Sequence, residues 1–134
     1  MSPPSLDSSA ARQKRLGAFY TPEPIARELI TWAVRTPSDT VLDPSFGSLV
    51  FLEAARRRLA SLGGRRAHSG VHLYGIEVDD QAFAAAAAHF WSQDTSPRLV
   101  HDDFLSLRPG EHVPAVDVVV GNPPYLRYQG FNEH

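Results

Sequence analysis

Apolar positions along this chain follow two different spacings, and the alternation between them predicts its elements. Over 21–35, Ile25, Leu29, Trp32 and Ala33 fall on one helical face, the stripe expected to meet a core. Thr21 suits the N-cap of that helix and Pro22 its first position, and Pro37 closes it. Thr40-Val41-Leu42 reads as a short buried strand, with a turn over 43–48. A second helix is predicted over 49–62, where Leu52, Ala55, Leu59 and Leu62 recur at helical spacing before Gly63-Gly64 ends it. A strand over 71–78 leads into an alanine-rich helix over 79–91 with Phe83, Ala86 and Phe90 on its buried face. Shorter strands are predicted over 98–101 and 116–120.

Strands alternating with helices imply right-handed crossovers and a mostly parallel sheet covered on both faces. The expected fold is α/β, doubly wound. In such a fold, ligands sit beyond the carboxyl ends of the strands, where the strand order reverses. The unusual residues of this chain cluster at those strand ends: 43–47, 77–80, 102–104 and 122–125. All four segments are expected on one rim.

Composition narrows the picture without deciding it. The chain has 134 residues, 43% hydrophobic and 21% charged, as in ordinary globular proteins. Its formal net charge of -2 supplies no general attraction to nucleic acid, so contact with DNA would need local patches or other domains. It has no cysteine, which excludes a disulfide framework and a thiolate metal site. His68 and His72 lack companions for a metal site, so no metal is expected. Residues 1–15 are polar and rich in Pro and Ser, a disordered leader and not a secretory signal, and 16–134 form one unit. No apolar run approaches the roughly 20 residues that cross a bilayer. A cytoplasmic location is expected.

Each rim segment has its own chemistry. The turn after the first strand, Asp43 to Gly47, lets a ligand approach backbone and meet the amide donors of a helix start. It lacks the Gly-Lys-Ser/Thr of a phosphate loop and is not G-x-G-x-x-G. In "YGIEVDD", the Glu77 carboxylate offers two acceptor oxygens to a ribose, while Asp79 or Asp80 serves as helix cap. In "HDDFL", Asp103 suits an exocyclic amine and Phe104 the face of a purine; an ordinary turn with one core Phe stands beside that reading. The sharpest segment is Asn122-Pro123-Pro124-Tyr125, a string expected by chance with probability on the order of one in a thousand. Two prolines remove two N–H donors and leave a rigid turn whose carbonyls remain acceptors. With the Asn122 oxygen and the flat face of Tyr125, such a turn grips an –NH2 group while its ring stacks. The arginines Arg56-Arg57-Arg58 and Arg65-Arg66 read as a solvated helix face before a phosphate contact.

These segments, in this order, resemble the S-adenosylmethionine-dependent amino-methyltransferases that make N6-methyladenine in DNA, in the gamma-class arrangement found in restriction-modification enzymes. "GAFYTP" at 17–22, "LDPSFGSLVFL" at 42–52, "GIEVD" at 75–79, "DDF" at 102–104 and "NPPY" at 122–125 carry the match, which covers nearly everything from Gly17 to Tyr128. The resemblance implies that Phe19, Tyr20 and Thr21 line the methionine end of the cofactor, with Thr21 near its carboxylate. Asp43 and the Gly47 backbone would sit by its amino group, Glu77 on the ribose, Val78 against the adenine, and Asp103 with Phe104 on the adenine amine and ring. Asn122, the Pro123 carbonyl, Pro124 and Tyr125 would hold a target adenine flipped out of double-stranded DNA. Methyl transfer would then be direct, without metal or covalent enzyme intermediate, and orientation would supply most of the catalysis.

Two departures stand out. Leu49 occupies the place of the loop's usual second glycine, where a side chain is expected to crowd the cofactor. The family also continues past NPPY with three more strands and a target-recognition domain, so the chain is expected to be a fragment or one half of a split enzyme, with a second chain supplying the rest. Alternative acceptors are an amino group in ribosomal RNA or a protein glutamine amide, and a cofactor-binding fragment without activity is the non-enzyme alternative.

Overall fold

The computed structural model describes residues 20–63, 71–91 and 97–123. The chain runs α1 (Glu23–Ala33), β1 (Val41–Asp43), α2 (Val50–Gly63), β2 (Leu73–Glu77), α3 (Asp80–Trp91), β3 (Arg98–His101), a 3-10 turn (Phe104–Ser106) and β4 (Val118–Val119). The four strands form one sheet in the order β3-β2-β1-β4, all pairs parallel. The chain moves outward from β1 to β2 and β3, then returns to the other side of β1 with β4. The reversal therefore falls between β1 and β4, which brings the chain after Asp43 beside the chain after Val119.

Alternation along the strands divides the core between the two faces. On one face, Val41 and Leu73 pack with Ala26, Ile30 and Val34 from α1 and its end and with Phe51, Ala55 and Leu59 from α2. Beside them, Ala86 and Phe90 of α3 meet Phe46 and Leu52. On the opposite face lie Leu42, Tyr74 and Ile76, covered by Leu107, Val113 and Val116 from the segment that precedes β4. The open end of β1 is fastened to β4 by Asp117, whose carboxylate accepts from the Thr40 N–H and hydroxyl at 2.8 and 3.0 Å. β4 pairs only with β1, and its outer edge has no partner among the described residues.

The helix over 23–33 departs from the sequence expectation in two ways. Its buried residues are Ala26 and Ile30, and the stripe of Ile25, Leu29 and Trp32 faces outward. Both stripes satisfy helical spacing; the smaller one docks because Ala26 permits the close approach to α2 that a bulkier residue would prevent. Thr21 is not the N-cap. Pro22 occupies that position, and no side chain caps the helix. At the start of α3 the cap is Asp79, whose carboxylate accepts from the Ala82 N–H at 3.0 Å. The leader, Phe19, Gly64, Pro124 and Tyr125 lie outside the described residues.

Candidate functional site: the rim at the strand carboxyl ends

Asp43, the last residue of β1, is completely buried. Its Oδ1 accepts from the Ser45 N–H at 3.0 Å, an Asx turn that bends the chain out of the strand, while Oδ2 is buried with no hydrogen-bond partner among the described residues. Burial, together with the nearby Glu77 charge, pushes this carboxyl up to about 7 against the pull of the Ser45 N–H. An orphaned buried oxygen on an acidic side chain suits a cationic or N–H donor arriving from the rim.

Glu77 ends β2 and binds the loop that follows β1. Its Oε1 accepts from the Gly47 N–H at 2.9 Å, and Oε2 accepts from Val78 N–H at 2.8 Å and Asp79 N–H at 3.4 Å. One carboxylate thereby aligns two strand-end loops. Gly47 has φ +49°, a conformation natural to glycine. Two residues later Leu49 adopts φ 69°, left-handed despite its side chain. The turn keeps the backbone shape that a glycine would take, and Leu49 instead packs partly buried against the Phe46, Leu52, Ala86 and Phe90 cluster. Its side chain is spent inward on the core.

On the other side of β1, Gly121 abuts Asp43: a Cβ there would lie 2.7 Å from Asp43 Oδ1. Only glycine permits that approach, and it places Asn122 at the mouth of the same loop. The Asn122 side-chain N–H donates to Thr21 Oγ1 at 3.3 Å, across 101 residues of sequence. Asn122 therefore shares one rim with Asp43, Gly47 and Glu77.

The third segment lies beside β2. The Asp102 N–H donates to the Glu77 carbonyl at 3.2 Å, while the Asp103 carboxylate accepts from Leu105 N–H at 3.0 Å and caps the 3-10 turn. Phe104 and Val78 are both substantially exposed, as is Tyr20. The structure thus links Gly47 to Glu77, Gly121 to Asp43 and Asn122 to Thr21, leaves Tyr20, Val78, Phe104 and Pro123 exposed, and engages the exposed Asp103 in capping the 3-10 turn. Phe19, Pro124 and Tyr125 fall outside the described residues.

Two rim residues escaped the sequence reading. Gly121 had a signal in its place directly before Asn122. His101 had only its neighbours: its ring stacks on Phe83 at 4.6 Å and 13°, and Nε2 lies 3.0 Å from Asp80. Arg56 and Arg58 belong to the scaffold, while Arg65, Arg66 and His68 lie outside the described residues. Arg56 is paired with Glu53 at 3.0 Å, His89 meets the same carboxylate at 2.9 Å, and Arg58 donates to the Val34 carbonyl past the end of α1. Burial acts to raise the Glu53 carboxyl, but the Arg56 and His89 hydrogen bonds outweigh it and hold it below its ordinary value. No three His, Asp or Glu residues converge into a metal-ligating group among the described residues. None of the described helices is long and apolar enough to cross a membrane.

A parallel doubly wound sheet with an acidic, glycine-bearing rim at its reversal point is the architecture of a nucleotide-type ligand site. The chain belongs to the N-6 DNA Methylase family, whose model matches residues 6–133. It is 30% identical over 133 residues to the Type II methyltransferase M.XamI of Xanthomonas campestris pv. amaranthicola, a match covering 96% of this chain and 23% of that protein. In fold it is similar to the M protein of the Type I restriction enzyme EcoKI, with TM-score 0.68 and 22% identity over 81% of this chain and 26% of that one. A putative class I S-adenosylmethionine-dependent methyltransferase from Listeria monocytogenes is similar with TM-score 0.61 and 22% identity, covering 92% of this chain and 39% of that one. The chain spans about a quarter of the curated relative's length. The family implies S-adenosyl-L-methionine as cofactor.

Proposed function

We propose that this chain carries the cofactor and target-amine site of a restriction-modification DNA methyltransferase acting on adenine N6. One observation carries the reading. Gly121, packed on Asp43, puts Asn122 on the rim that also holds Gly47 and Glu77, which supports reading Asn122 as an amine acceptor beside a cofactor cradle.

The residues present fit the implied cofactor. The unpartnered Asp43 Oδ2 suits its ammonium group, the Glu77 carboxylate its ribose hydroxyls, and the exposed Val78 and Phe104 the faces of its adenine, with Asp103 at the amine. Tyr20 and Thr21, with Phe19, would line its methionine end. When bound, S-adenosylmethionine supplies an electrophilic methyl group. The chain's part is to receive a flipped adenine whose N6 is otherwise paired in the duplex. The Asn122 oxygen and the Pro123 carbonyl would accept hydrogen bonds from the two amine N–H groups, turning the nitrogen lone pair toward the methyl donor and stabilising positive charge as it develops on nitrogen. Two consecutive prolines, with fixed φ, would hold these acceptors, and Tyr125 would offer a stacking face.

The proposed partners are double-stranded DNA and a second polypeptide that completes target recognition. The proposed location is the cytoplasm. The test supplies tritium-labelled S-adenosylmethionine with DNA, RNA and protein pools, the chain alone and with its neighbouring polypeptides. Label in DNA, recovered as N6-methyl-2′-deoxyadenosine and abolished by Asn122→Ala, is the expected result. Label in RNA or in protein glutamine instead would overturn the substrate assignment.

A further inference from the structure

We infer that Thr21 is a positioning residue that sets which edge of the Asn122 carboxamide faces the target amine; this rests on the function proposed above. A carboxamide has a donor edge and an acceptor edge, nearly equal in shape, and rotation by half a turn exchanges them. A site that must accept protons from an amine works with one orientation only. Here the Asn122 nitrogen donates to Thr21 Oγ1 at 3.3 Å. A hydroxyl whose proton is given to an anionic group can only accept on its other side, so with that proton committed the threonine takes the donor edge and turns the oxygen away from it. The backbone is set separately, by Gly121 against Asp43.

The surroundings keep the hydroxyl for this purpose. The adjacent helix takes Pro22 as its N-cap residue and draws no side-chain hydrogen bond, so Thr21 is not used for capping. Both partners are partly buried, which limits competition from water. A threonine hydroxyl also has one proton to give in addition to its lone pairs. While accepting from Asn122 it retains that donor for an anionic group, such as the carboxylate of the cofactor. One side chain would then touch both ends of the reaction, the group that anchors the cofactor and the amide that orients the acceptor.

The test compares Thr21→Val, which keeps the shape and removes the hydroxyl, with Thr21→Ser, which restores it. The first readout is the side-chain amide resonance of Asn122 in the isotope-labelled chain, identified by its disappearance in Asn122→Ala. It should move in Thr21→Val and return to its position in Thr21→Ser, with the remaining backbone resonances in place. In the methylation assay, Thr21→Val should lower kcat by about tenfold, the scale of one hydrogen bond, and Thr21→Ser should recover most of it. An Asn122 resonance that ignores Thr21→Val overturns the inference, as does a kcat that stays at the wild-type value while Asn122→Ala abolishes transfer. If transfer persists in Asn122→Ala, the proposed function itself fails and the inference with it, an outcome distinct from the other two.

Discussion

The two sides of the rim are built differently. Where β1 and β2 end, the acidic groups are buried and engaged: Asp43 has no exposed surface and Glu77 only 8%, and backbone N–H groups of both loops converge on them. Beside them, Val78 just after β2 is 62% exposed and Phe104 just after β3 46%, little covered among the described residues. The first region is shaped before any ligand arrives. The second is left open. Under the proposed function the first would position polar groups at the centre of the sheet and the second would stack at its side.

The contrast can be broken first at Asp43. Its carboxyl is raised from 3.8 to about 7 by burial, so it favours the folded state when protonated. That contribution is complete below the unfolded value and is lost as pH climbs through about 7. A rise of about three units corresponds to about 4 kcal/mol. Asp43→Asn should therefore stabilise the chain by up to about 4 kcal/mol at pH 8 and hardly at all near pH 4, as read from urea denaturation at the two pH values. A stabilisation equal at both would show that the charge is not the cause.

Glu77→Ala should act in the opposite direction. It strips acceptors from the Gly47 and Val78 N–H groups, and two unsatisfied donors cost about 3 kcal/mol. Its denaturation midpoint should fall accordingly; a midpoint that holds would mean that water replaces the carboxylate. On the open side, Phe104→Ala should change stability by no more than about 0.5 kcal/mol, as an exposed residue does. It should nevertheless weaken S-adenosylmethionine binding by roughly tenfold in calorimetry, the worth of an aromatic stacking contact. Unchanged affinity would remove Phe104 from the site.

The smallest effect is expected at Leu49. Replacing it with glycine relieves a left-handed backbone worth roughly 1–2 kcal/mol. The same change gives up a partly buried packing contact of about the same size, so Leu49→Gly should alter stability by about 1 kcal/mol or less. Leu52→Ala, in the fully buried neighbour, should cost roughly 2–5 kcal/mol on the same assay.

Much of this organisation was legible in the residues. Strand and helix order follows from alternating periods, and the rim follows from the rule that ligands gather at carboxyl ends, because both depend on local pattern and chain topology. What escaped depends on partners distant in sequence. Two stripes of α1, Ile25-Leu29-Trp32 and Ala26-Ile30, are equally helical, and only the closeness of α2 decides between them. Thr21 is a good capping residue by type, yet its hydroxyl meets a carboxamide 101 residues away. Leu49 was visible as a departure from glycine. That the turn would keep its left-handed backbone and send the side chain into the core was not.

The outward stripe of α1 has a practical consequence for spectroscopy. The chain has two tryptophans, Trp32 and Trp91, which are 71% and 92% exposed in the folded state. Both indoles already stand in water, so their emission will shift little on unfolding and will be a poor monitor of it. The same exposure makes Trp32 a built-in reporter of docking: a protein surface that settles over Ile25 and Leu29 would move its emission toward the blue.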